Sequence, residues 1–114
     1  MSTFHYTDKK GHDGIQGEPW RFQVHQPRAK ERPLGAYFTN LAPTAENLRV
    51  LHKKIRVPKK KRAYVFCFNG TSGLGHLNEA RGRDQYILYS QTEYTVENER
   101  KEQFGLTEQI AGTE

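Results

Sequence analysis

The sequence predicts a small single domain of the α+β class, built on a twisted, split β-sheet of antiparallel or mixed strands with one or two short helices. The chain has 114 residues, which is too few for two independent hydrophobic cores. Short segments rich in aromatic and β-branched residues alternate with turn-forming residues, as strands do. One segment also carries apolar residues three and four positions apart, the spacing of an amphipathic helix. This order of strands and helices is typical of the α+β class.

The N-terminal third predicts a strand, a short helix and a long loop. Residues 3–7 contain Phe, His and Tyr and predict the first strand. Asp8 is a suitable N-cap for one or two helical turns that end at Ile15. Prolines and glycines exclude a long helix from residues 16–33, so we expect a partly open loop there. Within it, residues 21–24 predict a brief strand.

The middle of the chain predicts a strand followed by the main helix. Residues 34–39 are apolar and aromatic, which favours a strand. Thr44 is a candidate N-cap, and the helix is predicted over residues 45–54. The apolar face of this helix consists of Leu48, Leu51 and Ile55.

The C-terminal half predicts three further strands and a tail. Residues 62–68 alternate and are rich in Tyr, Val and Phe, and residues 69–75 contain three glycines and predict a turn or loop. Shorter strands are predicted at residues 86–89 and 94–96. We therefore place the core of the single domain, which covers residues 1–114, at about residues 3–96. From Glu97 the chain is acidic, and we expect a frayed helix or a mobile tail.

Composition indicates a thin aromatic core in a chain from a reducing compartment. Hydrophobic residues make up only 34% of the chain, yet it contains six Tyr and six Phe. The single Cys67 excludes an internal disulfide and a cysteine-based zinc cluster within one chain. No stretch approaches the roughly 20 apolar residues of a membrane span, and the polar start lacks the apolar core of a signal peptide. We expect an intracellular monomer that contacts no membrane and holds no metal.

The positive charge of the chain is concentrated in one segment. The net charge is +5, but residues 49–62 hold eight basic residues and no acidic residue, and the rest of the chain carries −3. This basic patch predicts contact with nucleic acid or an acidic protein. Residues 58–62, Pro-Lys-Lys-Lys-Arg, resemble a nuclear import signal and allow a nuclear as well as a cytoplasmic location. The patch consists of Arg49, Lys53, Lys54, Arg56, Lys59, Lys60, Lys61 and Arg62.

Three segments carry candidate chemistry: the opening His5-Tyr6-Thr7 followed by Gly14-Ile15, the strand Gly35-Ala36-Tyr37-Phe38-Thr39, and residues 82–87. In this order and spacing they resemble the ADP-ribosyltransferase superfamily, specifically its toxin-like branch with a His, Tyr and acidic signature. The middle segment is similar to the Gly-x-Tyr-Phe strand of diphtheria-toxin-like and poly-ADP-ribosylating enzymes. The resemblance covers residues 4–96. It implies an ADP-ribosyltransferase-like fold and a mono-ADP-ribosyltransferase or NAD glycohydrolase that breaks the bond between nicotinamide and ribose.

The resemblance also assigns roles at the NAD site. It implies that His5 holds a ribose hydroxyl, that the backbone of Tyr6 pairs with the nicotinamide carboxamide, and that Thr7 supports this arrangement. Tyr37 would stack on the nicotinamide ring. Arg21, in the long loop, would meet the pyrophosphate together with Arg28, Lys30 and Arg32. Breaking the glycosidic bond builds positive charge on the ribose, so hydrogen bonds to its hydroxyls and an aromatic contact on the leaving ring suit this reaction.

The third catalytic residue has three candidates. A toxin-like register assigns Asp84 as the acid that grips the ribose, whereas the register of the poly-ADP-ribosylating enzymes assigns Gln85, which cannot act as a base. Glu93, in a Gln-x-Glu sequence, resembles the acidic loop of another toxin branch. Leu48 stands where many relatives have a second aromatic, which predicts a one-sided contact on the nicotinamide.

A different class of function stays open from the sequence. The alternative is a catalytically inactive module of the same fold that binds nucleic acid or an acidic protein through the basic patch. Gln85 in the catalytic register and Leu48 in place of an aromatic favour this alternative. The other histidines, His12, His25, His52 and His76, show no metal-ligand spacing, and we interpret them as surface residues.

Overall fold

A computed structural model of the chain describes residues 2–26, 33–55, 61–76 and 86–111. Within these ranges it contains eight strands and three helices. The strands are β1 Ser2–Thr7, β2 Trp20–Phe22, β3 Ala36–Thr39, β4 Tyr64–Asn69, β5 Gly75–His76, β6 Ile87–Ser90, β7 Tyr94–Val96 and β8 Lys101–Leu106. The helices are α1 Lys9–Ile15, α2 Ala45–Ile55 and α3 Thr107–Ala111. The predicted α+β class is confirmed.

The strands form two antiparallel sheets. Six of them make one sheet in the order β5-β6-β3-β1-β4-β8, and β2 pairs with β7 in a separate two-stranded sheet. The radius of gyration is 13.0 Å, close to the ~13 Å of a compact domain of this length.

The strands at the centre of the large sheet have fewer register pairs than those on either side. β1 pairs with β4 along all six of its residues, and β3 pairs with β6 along all four. Between β1 and β3, in the part of the chain that the structure describes, the register consists of the single pair Phe4 and Thr39. This pair joins the strands β5-β6-β3 to the strands β1-β4-β8.

The two faces of the large sheet are covered differently. The β2-β7 layer covers one face, and its side chains join those of the large sheet in a mostly aromatic cluster. This cluster contains Trp20, Phe22, Ala36, Phe38, Phe66, Phe68, Leu88, Tyr94 and Val96. On the opposite face α2 contributes Leu51 to a second cluster with Leu41 and Ile87, and α3 packs Ile110 against a third. The predicted aromatic core is confirmed, and it lies between the two sheets.

Both predicted helix caps are present. The Asp8 side chain accepts a hydrogen bond of 2.8 Å from the backbone N–H of Gly11, and the Thr44 hydroxyl accepts one of 3.1 Å from Asn47. These bonds satisfy N–H groups that have no partner within the helix. Lys61 donates a 2.7 Å bond to Asp8 and, together with the Gly11 N–H, lowers the pKa of that carboxyl.

Two glycines of α1 differ sharply in the space around them, which gives a matched test of its packing. A Cβ at Gly11 would lie 1.9 Å from Oγ1 of the buried Thr7, whereas a Cβ at Gly14 would meet no atom within 4 Å. We expect Gly11→Ala to destabilise the domain by about 1–3 kcal/mol because of this overlap. Gly14→Ala is expected to be neutral or to stabilise by up to ~1 kcal/mol, since alanine favours helix. Urea unfolding of both variants measures the difference; equal effects would contradict the packing of α1 on β1.

Three predictions about elements are corrected. The brief strand of the long loop is Trp20–Phe22 rather than residues 21–24. The frayed or mobile tail predicted from Glu97 is wrong, because a 3-10 turn at Asn98–Arg100 leads into β8, which pairs with β4, and then into α3. The described ranges thus hold a third helix instead of one or two. Backbone pairing fixes β8 at the sheet edge with little side-chain burial, so its sequence lacks the alternation that marks a strand.

Three of the eight residues of the basic patch, Arg56, Lys59 and Lys60, lie outside the described residues. Of its members, Arg49 is exposed on α2 and Lys61 is exposed beside α1, where it bonds to Asp8. The run of residues 58–60 is not described. Among the described helices, none has the length and apolar character needed to cross a membrane.

Candidate functional site

His5 lies where the register pairing between β1 and β3 ends. It is the residue directly after Phe4, the last β1 residue in register with β3. Its Nδ1 is 2.8 Å from the backbone oxygen of Tyr37 in β3. Because a carbonyl oxygen only accepts hydrogen bonds, Nδ1 carries the proton. In the neutral ring, Nε2 therefore keeps a lone pair and can accept a hydrogen bond.

The surroundings of His5 keep its ring neutral. The half-buried imidazole lies against two aromatic side chains, with ring centroids 4.9 Å from Phe22 and 5.5 Å from Phe38. Burial lowers its pKa from 6.5 to about 4; the hydrogen bond to Tyr37 opposes this change, and the nearby His25 adds a smaller lowering. At pH 7 His5 is consequently a neutral donor at Nδ1 and a neutral acceptor at Nε2.

The Tyr37 ring lies on the other face of the large sheet. Successive residues of a strand point to opposite faces, and Phe38 points into the aromatic cluster with His5. Tyr37 instead packs against the cluster of Leu41, Leu51 and Ile87, which also includes Leu48 of α2. Its hydroxyl donates to the backbone oxygen of Pro33. The structure thus brings the His5 side chain to the Tyr37 backbone, but the rings of the two residues lie on opposite faces of the sheet.

Tyr37 is the centre of a row of three rings. The ring centroid of Tyr89, its partner in β6, is 5.8 Å away with the planes at 19°, and that of His25 is 5.7 Å away with the planes at 61°. All three side chains are partly or largely exposed. We call them the ring row.

Gly35 allows β6 and the Tyr89 ring to lie close to the backbone that precedes β3. Its backbone exchanges two hydrogen bonds with His25, of 3.0 and 3.1 Å. A Cβ at this position would lie 2.7 Å from the backbone oxygen of Ser90 and 3.2 Å from the ring of Tyr89. The glycine of the Gly-x-Tyr-Phe segment therefore has a packing reason, since any side chain would push β6 and Tyr89 away.

His25 connects several of the candidate residues. It contacts the Tyr37 ring and is near enough to His5 to affect its pKa. Partial burial lowers the pKa of His25 itself, and a hydrogen bond to the Gln23 backbone opposes this. The side chain of Gln23 donates to the carboxylate of Glu93. His5, Tyr37 and Glu93 are therefore linked through the segment that follows β2.

The remaining predicted binding residues take mostly structural positions. Tyr6 donates its hydroxyl to the Leu41 backbone at 2.8 Å and packs beside the Tyr37 cluster. Thr7 is buried and lies against Gly11 of α1. Arg21 is exposed on β2 between Trp20 and Phe22, which both point into the core. It therefore points away from the sheet face that carries His5. Arg28, Lys30 and Arg32 lie outside the described residues.

Of the three candidates for the third catalytic residue, Glu93 alone lies within the described residues. Asp84 and Gln85 lie outside the described residues. Glu93 is exposed in the turn between β6 and β7 and is held by Gln23. Within the described ranges no three side chains of His, Cys, Asp or Glu are grouped as metal ligands are.

Sequence reasoning did not connect Tyr89 and His25 with Tyr37, and it misjudged a histidine elsewhere in the fold. Tyr89 was assigned only to a strand, and neither residue carries a motif that could have marked it. The interpretation of His25 as a surface residue is confirmed, since His25 is exposed. His12 was also interpreted as a surface residue, but its side chain is only 13% exposed and its ring centroid is 4.4 Å from that of Tyr64. Its position on the buried side of α1 follows from the contact between that helix and β4.

Comparison of the chain with protein-family profiles, with curated proteins and with solved structures found no significant match. The arrangement offers a neutral hydrogen-bond acceptor, His5, on one face of the sheet beside β3, the ring of Tyr37 on the opposite face, and an exposed carboxylate, Glu93, that is held by Gln23. This combination suits a ligand that has both hydroxyl groups and a flat ring.

Proposed function

We propose that the domain binds NAD beside His5 and the Tyr37 strand and cleaves the bond between nicotinamide and ribose, as a mono-ADP-ribosyltransferase or NAD glycohydrolase. The observation that carries the proposal is the hydrogen bond from His5 Nδ1 to the Tyr37 backbone. It fixes the tautomer and orientation of His5 beside the Tyr37 strand, where the register pairing between β1 and β3 ends. Order and spacing of the His5, Tyr37 and residue 84–93 segments add support.

In this proposal His5 binds the ribose that is attached to nicotinamide. Its Nε2 accepts a hydrogen bond from a ribose hydroxyl, which places the sugar beside β1. The reaction builds positive charge on the ribose, and a charged imidazolium would repel that charge. The low pKa of His5, about 4, keeps the ring neutral at pH 7. The acceptor therefore binds the sugar without opposing the transition state.

Tyr37 contacts the nicotinamide and orients it for departure. The bond between the anomeric carbon and the ring nitrogen breaks, and nicotinamide leaves as a neutral molecule with the electron pair. An oxygen or nitrogen nucleophile, either water or a group on the acceptor, then bonds to the anomeric carbon and loses its proton. Glu93 or Asp84 would take that proton as a general base, whereas Gln85 would serve only as a hydrogen-bonding group.

Nicotinamide release from NAD tests the proposal. We use His5→Asn, because the asparagine amide can still donate to the Tyr37 backbone while the acceptor at the place of Nε2 is lost. His5→Asn and Tyr37→Ala are each expected to lower kcat/KM by about tenfold or more. This is the loss expected when one hydrogen bond or one aromatic contact to the substrate is removed. His76→Ala, an exposed histidine on β5, is the control and is expected to release nicotinamide like the wild type.

Glu93→Gln and Asp84→Asn in the same assay identify the general base, since the loss should be confined to one of them. If the wild-type domain neither binds NAD nor releases nicotinamide, the enzyme proposal is overturned. Salt-sensitive binding to nucleic acid would then support the binding module that uses the basic patch.

A further inference from the structure

The strand β8 forms one outer edge of the large sheet. Among the strands that the structure describes, it is the last in the order β5-β6-β3-β1-β4-β8, and its register partner is β4 on the inner side. An edge strand has backbone N–H and C=O groups that can pair with a further strand. The outer side of β8 is therefore a surface on which another strand can add to the sheet.

The backbone groups of Phe104 and Leu106 point toward this outer side. The N–H of Thr107 donates a 2.9 Å hydrogen bond to the backbone oxygen of Ala63, the residue opposite it where the β4-β8 register continues. The direction of the backbone groups alternates along an antiparallel strand, so Gly105 also turns its N–H and C=O toward β4. Phe104 and Leu106, at the alternate positions, consequently turn theirs away from β4.

The same two residues carry exposed apolar side chains on one face of the sheet. Phe104 and Leu106 lie opposite Phe66 and Tyr64 in the register with β4, so both side chains lie on the face of the aromatic cluster. Both are exposed. Edge strands commonly carry charged residues that prevent pairing with another chain. Residues 103–106, Gln-Phe-Gly-Leu, contain no charge, so this part of the edge lacks that protection.

We propose that β8 pairs with β8 of a second copy of the chain, antiparallel and about a two-fold axis at Gly105. In this register Phe104 of each copy lies opposite Leu106 of the other. Each of these two pairs exchanges two backbone hydrogen bonds, and the apolar side chains meet on one face. The two six-stranded sheets join into one continuous sheet. This dimer takes the place of the monomer expected from the sequence.

Gly105 favours a second copy over a strand of unrelated sequence. On a two-fold axis this residue faces its own copy in a pair without hydrogen bonds, where the Cα atoms are only about 4.5 Å apart. Two glycines bring no side chains to this close approach. A Cβ at Gly105 would meet no described atom within 4 Å, so the single chain leaves the space beside it open. β8 also holds one Lys and one Glu, and its net charge of zero does not oppose pairing with itself.

Sedimentation equilibrium of the purified chain tests the dimer. An edge-to-edge contact of this length is small, so we expect reversible association with a dissociation constant of roughly 10–1000 μM. Leu106→Lys places a charge at the contact and should raise this constant by about tenfold or more. Leu34→Lys is the matched control, because Leu34 is 51% exposed and Leu106 41%, but Leu34 lies outside β8. It should associate like the wild type.

Amide hydrogen exchange identifies the contact. The N–H groups of Phe104 and Leu106 should exchange several-fold more slowly in the concentrated protein, about 1 mM, than at about 10 μM, because pairing protects them. The N–H of Gly105, which already faces β4, should change much less. Thermal unfolding of each variant shows that it is folded.

Three results would overturn the inference. The first is a wild-type chain that stays monomeric at about 1 mM, including one that pairs only with a strand of another protein. The second is equal association of Leu106→Lys and Leu34→Lys. The third is exchange of the Phe104 and Leu106 amides that does not depend on concentration. None of these measurements requires NAD, so the dimer and the proposed function are tested separately.

Discussion

Replacing Phe22 with alanine is expected to lower the free energy of unfolding by about 3–5 kcal/mol. Phe22 is 1% exposed and is one of the side chains through which the β2-β7 layer packs on the large sheet. Its ring centroid is 4.9 Å from that of His5 and 5.0 Å from that of Phe38. The substitution would leave a cavity directly beneath His5. For a domain of this size the loss is a large part of the total stability.

Phe104→Ala is the matched control for this prediction. Phe104 also contacts the aromatic cluster, but it is 50% exposed on β8. The same substitution there removes less buried surface, and we expect a cost of about 1 kcal/mol. Urea unfolding gives both values. Equal costs at the two positions would show that β2 does not cover the large sheet.

Acidification is expected to destabilise the domain through His5. In the unfolded chain His5 takes up a proton below pH 6.5, whereas in the folded domain it does so only near pH 4. Between these values the unfolded state binds more protons, so stability is present above pH 6.5 and is lost as the pH falls toward 4. The full interval corresponds to roughly 3 kcal/mol. Since His5 keeps some exposure, we expect about 2 kcal/mol.

His5→Asn isolates this contribution. Asparagine does not titrate, so the variant should lose about 2 kcal/mol less than the wild type between pH 7 and pH 4.5. His25 titrates in the same direction in both proteins, and the comparison cancels its effect. Urea unfolding at a series of pH values measures the difference. Parallel pH profiles for the two proteins would contradict the burial of a neutral His5.

Local sequence signals predicted most of the fold. Aromatic and β-branched residues marked β1, β3, β4, β6 and β7, because these strands bury at least one face. Asp8 and Thr44 marked the helix starts through their capping side chains. These features depend on residues close together in the chain, which is why a single sequence reveals them.

Features that depend on distant partners could not be predicted in the same way. β8 forms because the edge of β4 offers backbone groups to pair with, and its side chains at Phe104 and Leu106 stay 50% and 41% exposed. His25 and Tyr89 lie 64 positions apart in the chain, and both contact Tyr37 because their segments flank β3. The opposite orientation of the His5 and Tyr37 rings likewise follows from the register of β1 and β3, which the motifs alone do not specify.

In the proposed NAD complex a neutral His5, protonated at Nδ1, accepts a hydrogen bond from NAD at Nε2. Long-range ¹H–¹⁵N NMR of the histidine side chains, with and without NAD, tests it most directly. At pH 7 we expect the Nδ1-protonated tautomer of His5 in the free domain. Addition of NAD should shift the His5 Nε2 resonance and leave His76 unchanged. A protonated Nε2 in the free domain, or a His5 signal that NAD does not move, would contradict the claim.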